Sequence, residues 1–213
     1  MIKLINISKN NHIVNHYMAQ LRNYSMQNDR NFFCANIKRL GFILGVEAAN
    51  FLHYSNKNIK TPFGTAELDV LSVNPVLCAI VRAGIKLQEG VSAVFPDAEC
   101  IFCTCPKTEN GTRNAHLFNP INNYGNPIII SDPIMTSASS MIATIDEINK
   151  FAEPSLIIIL NLISTALSLK NLEDNLTKDA IVITCAVDEY VKGVRGTIPG
   201  LGDAGDLIYG KYQ

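Results

Sequence analysis

Two kinds of hydrophobic pattern alternate along the chain, one with helical spacing and one made of short aliphatic runs. Between residues 30 and 52, apolar side chains recur at helical intervals, which predicts a long helix with one buried face. Later runs are too short for a helix and mostly rich in β-branched residues, which predicts strands buried on both faces. These runs occupy residues 76–81, 100–105, 128–130, 156–160 and 181–185.

The order of these segments predicts an α/β fold. Helix-like stretches at 84–94, 140–151 and 162–172 separate the strand-like runs, and the N-terminal residues resemble a further strand. Strands that alternate with helices in this way form a Rossmann-like, mostly parallel sheet flanked by helices. In such a sheet ligands bind beyond the carboxyl ends of the strands, so the loops that follow these strands are the candidate binding site.

Three irregular segments belong to the single domain that we predict over residues 1–213. Residues 57–72 contain a turn at Gly64 between extended pieces, which predicts a β-arm that projects from the core. Residues 106–127 are polar, and a segment of that length favours a mobile functional loop. The third segment is the tail, residues 196–213, which begins with a glycine-rich stretch.

Composition narrows the classes of function. Of the 213 residues 17% are charged, and 18 Lys and Arg residues nearly balance 19 Asp and Glu residues, for a net charge of -1. Such a chain has no strong field to attract nucleic acid or an anionic membrane, so we expect neither partner. The N-terminal apolar stretch is too short for a signal peptide, and we expect a cytoplasmic protein with six reduced cysteines.

The segment from Asp132 to Ser140 joins a buried strand to a helix through small and hydroxyl-bearing residues. Its backbone N–H groups, its hydroxyls and the positive end of the helix would bind a phosphate, and Asp132 would accept hydrogen bonds from ribose hydroxyls. Alternatively, Ser139 or Ser140 only caps the helix and Asp132 closes the turn. The candidate phosphate ligands are Thr136, Ser137, Ala138, Ser139 and Ser140.

A second candidate is the sequence Arg82-Ala83-Gly84, which again joins a strand to a helix. Arg82 would lie at the same edge of the sheet as Asp132, and Gly84 would permit a strained turn close to a ligand. The alternative is a surface arginine beside an ordinary turn.

The third candidate is the stretch from Pro199 to Asp206. Gly200, Gly202 and Gly205 match the spacing of a dinucleotide-binding fingerprint, but they lie near the C-terminus and not after a first strand, so that interpretation fails. We predict an irregular loop whose backbone packs against a flat ligand, with Asp203 and Asp206 nearby. A plain glycine turn is the alternative.

Other chemistry finds little support in the sequence. Cys100, Cys103 and Cys105 could bind zinc with His116, but they lack the paired spacing of structural zinc sites and lie in a predicted strand, so we expect no metal site of the protein's own. The sequence contains neither a G-x-S-x-G elbow nor a Walker A motif, which disfavours hydrolases and P-loop NTPases.

Taken in order, these three motifs resemble those of the uracil phosphoribosyltransferase family, whose members have the type I phosphoribosyltransferase fold. The resemblance spans the chain, and the octapeptide from Pro199 to Asp206 is its most specific part. It implies transfer of a phosphoribosyl group from 5-phosphoribosyl 1-diphosphate (PRPP) to uracil, which yields UMP and diphosphate in pyrimidine salvage. It further implies Mg2+ bound with PRPP, and a homodimer or homotetramer.

The resemblance also assigns roles to residues. The turn from Thr136 to Ser140 would hold the 5′-phosphate, and Asp132 would contact the ribose. Arg82 and Lys107 would face the diphosphate. Asp203, with Arg82, would act in catalysis. The C-terminal hood loop would bind uracil, and the substrate-binding residues of this loop are Thr197, Ile198, Gly202, Asp203 and Ala204.

Departures from the family pattern concentrate on the PRPP side. Ala138 and Ser139 replace two glycines of the phosphate turn, which predicts crowding of the phosphate or a costly left-handed backbone. Lys107 replaces an arginine and loses its bidentate fork. Two alternatives therefore stay open, a non-catalytic or regulatory nucleotide-binding paralogue and a phosphoribosyltransferase for another base.

Overall fold

The fold is built around a mostly parallel β-sheet. The computed structural model describes residues 1–120, 125–193 and 196–211. In chain order its strands are β1 (Ile2–Asn6), β2 (Tyr54–Thr61), β3 (Gly64–Leu71), β4 (Val76–Ile80), β5 (Cys100–Thr104), β6 (His116–Phe118), β7 (Ile128–Ser131), β8 (Ile134–Met135), β9 (Ile157–Thr165) and β10 (Ala180–Asp188).

These strands form one large sheet and one ribbon. The described part of the large sheet has the order β1-β10-β9-β7-β4-β5-β6, and β8 pairs with β9. Its pairs are parallel except for β5 with β6. The carboxyl ends of the central strands therefore lie at one edge. The predicted α/β fold with a mostly parallel sheet is confirmed.

Helices cover both faces of this sheet. They are α1 (His12–Arg22), α2 (Arg30–Ala49), α3 (Gly84–Ser92), α4 (Ser139–Ile148), α5 (Ala166–Asn175) and α6 (Ala204–Tyr209), with a short 3-10 turn at Ile7–Lys9. The helical spacing in residues 30–52 matches α2, whose buried face carries the apolar residues that define the pattern. Among the described residues, no helix combines the length and apolar character that crossing a bilayer requires.

Alternate strand residues build two cores. Leu77, Ile129 and Ile158 point toward α1, α2 and α3, and pack with helix residues such as Leu40 and Leu44. Their strand neighbours point to the opposite face and pack against α4 and α5; these neighbours include Cys78, Ile128, Ile130, Ile157 and Ile159. Burial on both faces explains why the strands are nearly free of charged residues, since each side chain faces an apolar layer.

One predicted boundary is wrong. The sequence predicts a helix over 162–172, whereas β9 continues to Thr165 and α5 begins at Ala166. The strand includes Asn161, which lies opposite Thr184 of β10 in the sheet. The buried Ser164 hydroxyl donates to the Asn161 side chain at 2.9 Å. This internal hydrogen bond lets polar residues occupy a strand that the hydrophobic pattern alone would end.

The irregular segments contain more regular structure than their sequence indicates. Strands β2 and β3 pair as an antiparallel ribbon over residues that include most of the predicted β-arm. Within the predicted loop 106–127, β6 pairs with β5, and residues 107 and 113 form a bridge. Residues 121–124 of that loop and 212–213 of the predicted tail lie outside the described residues.

Candidate active site

Three loops meet at the carboxyl edge of the sheet. Arg82 follows β4, Asp132 follows β7, and Asp203 precedes α6. Asp132 and Asp203 border two adjoining cavities, each of more than 300 Å³, and Arg82 borders one of them. A third cavity, of about 110 Å³, lies against the residues that join β7 to α4. The site therefore combines a polar recess at a helix N-terminus with a larger space beside it.

The smallest cavity belongs to the phosphate turn, by which we mean residues 132–140. Arg113 and Asp132 line it, together with the five residues that the sequence predicts as phosphate ligands. These five are Thr136, Ser137, Ala138, Ser139 and Ser140. Ser139 begins α4, so the unpaired N–H groups of that helix face this recess. The hydroxyls of Ser137 and Ser139 lie 3.2 Å apart at its rim. This geometry suits an anion of phosphate size.

Ala138 occupies a left-handed conformation in this turn. Its φ is 59° and its ψ 6°, and its side chain is almost fully buried. A Cβ atom in this region costs about 1–2 kcal/mol, because it approaches the following carbonyl oxygen. The left-handed backbone predicted from the loss of the family glycine is thus present at Ala138.

Two side chains from neighbouring elements hold the phosphate turn in place. The Thr165 hydroxyl donates to the Thr136 carbonyl at 2.6 Å. The Asn171 amide donates to the Ser137 carbonyl at 3.0 Å. Thr165 of β9 and Asn171 of α5 lie 29 and 34 positions from the carbonyl groups that they bind, and no local motif identifies them. By holding the carbonyl groups, they fix the orientation of the peptide units around the recess.

Asp132 has an unusual protonation equilibrium. Loss of solvent around the carboxylate raises its pKa to about 7, while Arg113 and the backbone N–H of Ile134 act in the opposite direction. Asp132 lines all three cavities. A carboxylate that is half ionised near neutral pH, in a cleft, is a common feature of functional sites.

Arg82 approaches the same space from the other side. Its guanidinium contacts Asp206 of α6 at 2.9 Å. Asp203 caps α6 by accepting a hydrogen bond from the Asp206 backbone N–H at 3.1 Å. Gly84 has a steric role that its place in the motif does not reveal. A Cβ atom there would lie 2.4 Å from the Ser131 carbonyl, so Gly84 allows the Arg82 loop to pack against the end of β7.

The base loop, residues 196–205, is anchored by a charged network. Asp188, at the end of β10, accepts two hydrogen bonds of 2.7 Å from Arg22 of α1. It also accepts one from the Gly200 backbone N–H at 2.9 Å, and Arg22 in turn donates to the Gly200 carbonyl. Although burial opposes ionisation, these hydrogen bonds hold the pKa of Asp188 below its ordinary value.

The members of the base loop have different surroundings. Gly202, Asp203 and Ala204 line one of the larger cavities. Thr197 is buried, and its hydroxyl lies 3.3 Å from the Asp188 carboxylate. Ile198 pairs with Glu189 through the backbone. Neither Thr197 nor Ile198 is among the residues that line the three cavities.

Two cationic residues follow β5, Lys107 and Arg113, and only Arg113 is among the residues that line the three cavities. Lys107 is exposed and lines none of the three. Arg113 lines all of them. Arg113 is not recognisable as a site residue from the sequence, because it lies seven positions beyond the start of the polar segment, in a region without a motif.

The cysteines do not gather into a ligand set. Cys103 and Cys105 have their sulfur atoms 3.8 Å apart, whereas the Cys100 sulfur faces Ser92 and the Ala98 carbonyl. Within residues 1–120, 125–193 and 196–211, no group of three or more His, Cys, Asp or Glu side chains could hold a metal ion. All six cysteines are free thiols.

Comparisons with known proteins agree with this geometry. A family profile described as uracil phosphoribosyltransferase matches residues 7–211. A uracil phosphoribosyltransferase of Porphyromonas gingivalis is 26% identical over 216 residues, which cover 99% of both chains. One from Sulfurisphaera tokodaii is 30% identical over 208 residues, which cover 92% of this chain and 94% of the relative.

A solved structure shares the fold along nearly the whole chain. The AQ2163 protein from Aquifex aeolicus superimposes with a TM-score of 0.83 at 24% identity, covering 97% of this chain and 98% of that one. The likeness supports the order and packing of the elements described above.

Proposed function

The chain belongs to the uracil phosphoribosyltransferase family, and we propose that it transfers the phosphoribosyl group of PRPP to uracil, with UMP and diphosphate as products. The observation that carries this proposal is the convergence of the phosphate turn, Arg82 and the base loop on adjoining cavities. The named relatives are described as uracil phosphoribosyltransferases, so neither a non-catalytic paralogue nor another base is favoured.

We assign the 5′-phosphate of PRPP to the recess of the phosphate turn. The N–H groups at the start of α4 and the hydroxyls from Thr136 to Ser140 supply donors, and the helix dipole adds a favourable field. Asp132, at the edge of this recess, would accept hydrogen bonds from the ribose hydroxyls in its ionised form. The sugar would thereby be fixed with its reacting carbon toward the larger cavities.

We assign uracil binding to the base loop. Gly202, Asp203 and Ala204 of this loop border a cavity that Asp132 and Thr136 of the phosphate turn also border. The network of Arg22, Asp188 and Gly200 lies behind the loop and keeps its backbone rigid. Rigid backbone donors and acceptors can distinguish the edge of one base from another without a mobile side chain.

The transfer forms a bond between N1 of uracil and C1 of the ribose and breaks the bond from C1 to the diphosphate oxygen. The bonding electron pair leaves with diphosphate, and the N1 proton is released. Arg82 faces the cavity where negative charge accumulates on the leaving group. Asp203 borders both larger cavities, and its negative charge would stabilise the positive charge that develops on the ribose.

The residues present also suit Mg2+ that arrives with PRPP. Mg2+ is commonly held by substrate phosphates, water and one or two carboxylates, and Asp203 supplies a carboxylate on the cavity shared with Arg82. When bound, the ion neutralises part of the charge of the departing diphosphate.

The direct test is UMP formation from uracil, PRPP and Mg2+. We expect turnover by the wild-type protein and its loss in Asp203→Asn, which retains an oxygen able to cap α6. Cytosine, hypoxanthine and orotate serve as competing bases. Turnover with one of these but not uracil would contradict the assignment of the base, and absence of turnover with all of them would contradict the enzyme itself.

We further propose that the protein acts as a homodimer or homotetramer in the cytoplasm. The ribbon of β2 and β3 exposes large apolar side chains, among them Phe63 at its turn and Leu68. A second copy is the occupant that an exposed apolar arm of this kind favours. Free thiols fit a reducing compartment. Sedimentation of the wild type against Phe63→Ser with Leu68→Ser tests the first part, and cell fractionation tests the second.

A further inference from the structure

Arg113 has an unusual position for a residue in a polar connecting segment. It borders the recess of the phosphate turn, the cavity beside the base loop and the cavity beside Arg82. Asp132 shares all three of these cavities with it. A cation at the junction of three adjoining spaces is placed to contact a ligand that extends through more than one of them.

A small hairpin brings Arg113 back to the sheet edge. The backbone of residue 107 pairs with that of residue 113, and the Asn114 N–H donates to the Pro106 carbonyl at 3.0 Å. The Thr108 and Thr112 hydroxyls lie 2.7 Å apart, and Gly111 has a φ of 83° that closes the turn. The chain therefore reverses, and Arg113 lies opposite Lys107.

The side chain of Arg113 is oriented by one hydrogen bond. Its Nη1 atom donates to the carbonyl of Cys105 at 2.9 Å, just beyond the end of β5. Among the described residues, Arg113 forms none of the ion pairs found within 4 Å. Arg82, in contrast, is already paired with Asp206. The guanidinium of Arg113 is thus held at Nη1 by one hydrogen bond, and the residue borders all three cavities.

We propose that Arg113 is a substrate-binding residue that contacts the diphosphate of PRPP, in the place that the family resemblance gives to Lys107. The proposal rests on the proposed function, since it names how the same site binds its anionic substrate. Arg82 and Arg113 both border one cavity. Two guanidinium groups can each bind phosphate oxygens in a bidentate manner, which a lysine cannot do.

Two arginines at this position would also stabilise the transition state of the transfer. Negative charge on the diphosphate increases as the bond to the ribose breaks, so a guanidinium already oriented by the Cys105 carbonyl gains interaction energy without reorganising. Arg113 would therefore lower the barrier as well as the KM for PRPP. The loss of the bidentate fork at Lys107 is compensated in this chain by an arginine that faces it across the hairpin.

The first experiment measures binding without turnover. Titration calorimetry of inorganic pyrophosphate with Mg2+ is performed on the wild type, Arg113→Met and Arg113→Lys. Loss of a charge-assisted contact predicts binding about tenfold to hundredfold weaker in Arg113→Met, with Arg113→Lys between the two. Unchanged pyrophosphate affinity in Arg113→Met would overturn the proposal, whether or not the wild type converts uracil.

The second experiment separates substrate binding from a structural role. With uracil as the base, Arg113→Met should raise the KM for PRPP about tenfold or more and leave the KM for uracil within about twofold. An equal rise in both, accompanied by a lower thermal midpoint, would mean that Arg113 only supports the hairpin. Absence of turnover in the wild type would reject the proposed function but not the pyrophosphate result.

Two further variants complete the comparison. Arg39 is an exposed arginine of α2 and lines none of the three cavities. Arg39→Ala should therefore leave pyrophosphate binding unchanged. Lys107→Ala tests the competing assignment directly. If Lys107→Ala weakens pyrophosphate binding more than Arg113→Met does, the diphosphate belongs to Lys107 and the proposal is wrong.

Discussion

The phosphate turn and the base loop both place backbone groups against a ligand cavity, but they meet the required backbone geometry differently. The base loop has glycine at its positive φ angles, 65° at Gly200 and 89° at Gly202. The phosphate turn has Ala138 at a φ of 59°. The first loop adopts its conformation without a steric penalty, whereas the second retains strain of about 1–2 kcal/mol.

Their supports differ as well. The base loop is tied to a buried carboxylate, Asp188, whose partner Arg22 also contacts the loop directly. The phosphate turn is held by two neutral donors, Thr165 and Asn171. Hydrogen bonds that involve charged groups are about twice as strong as neutral ones, so the base loop has the stronger anchor.

The two loops therefore differ in backbone strain and in the strength of their anchors. The base loop combines glycines with a charged network, whereas the phosphate turn combines the left-handed Ala138 with neutral hydrogen bonds. We expect the base loop to be the more rigid of the two. We expect changes at the two loops to separate their roles, and the changes with the strongest effects are given first.

Arg22→Ala should be the most damaging change. It leaves Asp188 buried without its ionic partner, which costs about 3 kcal/mol of unfolding free energy. Because the base loop loses its anchor, the KM for uracil should rise about tenfold while that for PRPP changes little. Chemical denaturation and steady-state kinetics measure the two effects. An equal rise in both KM values would show that the loops are not anchored independently.

Gly200→Ala adds a steric clash to the base loop. The new Cβ atom would lie 2.3 Å from the Thr197 carbonyl, and the residue would be left-handed. We expect a loss of about 2–3 kcal/mol in unfolding free energy. Gly193→Ala is the matched control, since its φ is 89° but nothing lies within 4 Å of the new atom. A loss in Gly193→Ala as large as that in Gly200→Ala would attribute the effect to φ alone.

The pH dependence of kcat/KM should distinguish the phosphate turn, which contains Asp132, from the base loop, which Asp188 anchors. The pKa of Asp132 is raised to about 7, so the carboxylate is protonated below that pH and ionised above it. If the ionised form binds the ribose hydroxyls, kcat/KM for PRPP should fall about tenfold per pH unit below about 7. Asp188, whose pKa is lowered, stays ionised over this range. Persistence of the acidic limb in Asp132→Asn would exclude Asp132 as its source.

The smallest effect concerns Ala138→Gly. Relief of left-handed strain should offset the lost methyl burial and the greater freedom of the unfolded chain, so unfolding free energy should change by less than about 0.5 kcal/mol. Ala143→Gly, within α4, should cost about 1 kcal/mol because its backbone is ordinary helix. Equal costs in the two variants would mean that Ala138 is not strained.

Much of the fold follows from local pattern. The strands β4, β5, β7, β9 and β10 were predicted from short aliphatic runs, because a strand buried on both faces has no room for charge. The end of β9 was not predictable in the same way. The hydrogen bond from the Ser164 hydroxyl to the Asn161 side-chain oxygen forms only in the folded strand, and in the sequence the two residues read as two polar breaks.

Much of the candidate site also follows from the sequence, but its supports do not. Asp132, Arg82 and the glycines of the base loop stand in short motifs at strand ends. Asp188 and Arg22, in contrast, are 166 positions apart, and Thr165 lies 29 positions from the carbonyl that it holds. No periodicity or spacing rule connects residues at such distances.

Periodicity and motif spacing are local properties, so they suffice to predict the kind of sheet, the order of its elements and the loops of the candidate site. Which cation faces the cavities depends instead on the three-dimensional fold. Lys107 stands where the family pattern expects a positive charge, yet a hairpin and one bond to the Cys105 carbonyl bring Arg113 there. Such a choice depends on chain reversal and hydrogen bonding in three dimensions, which composition and spacing do not encode.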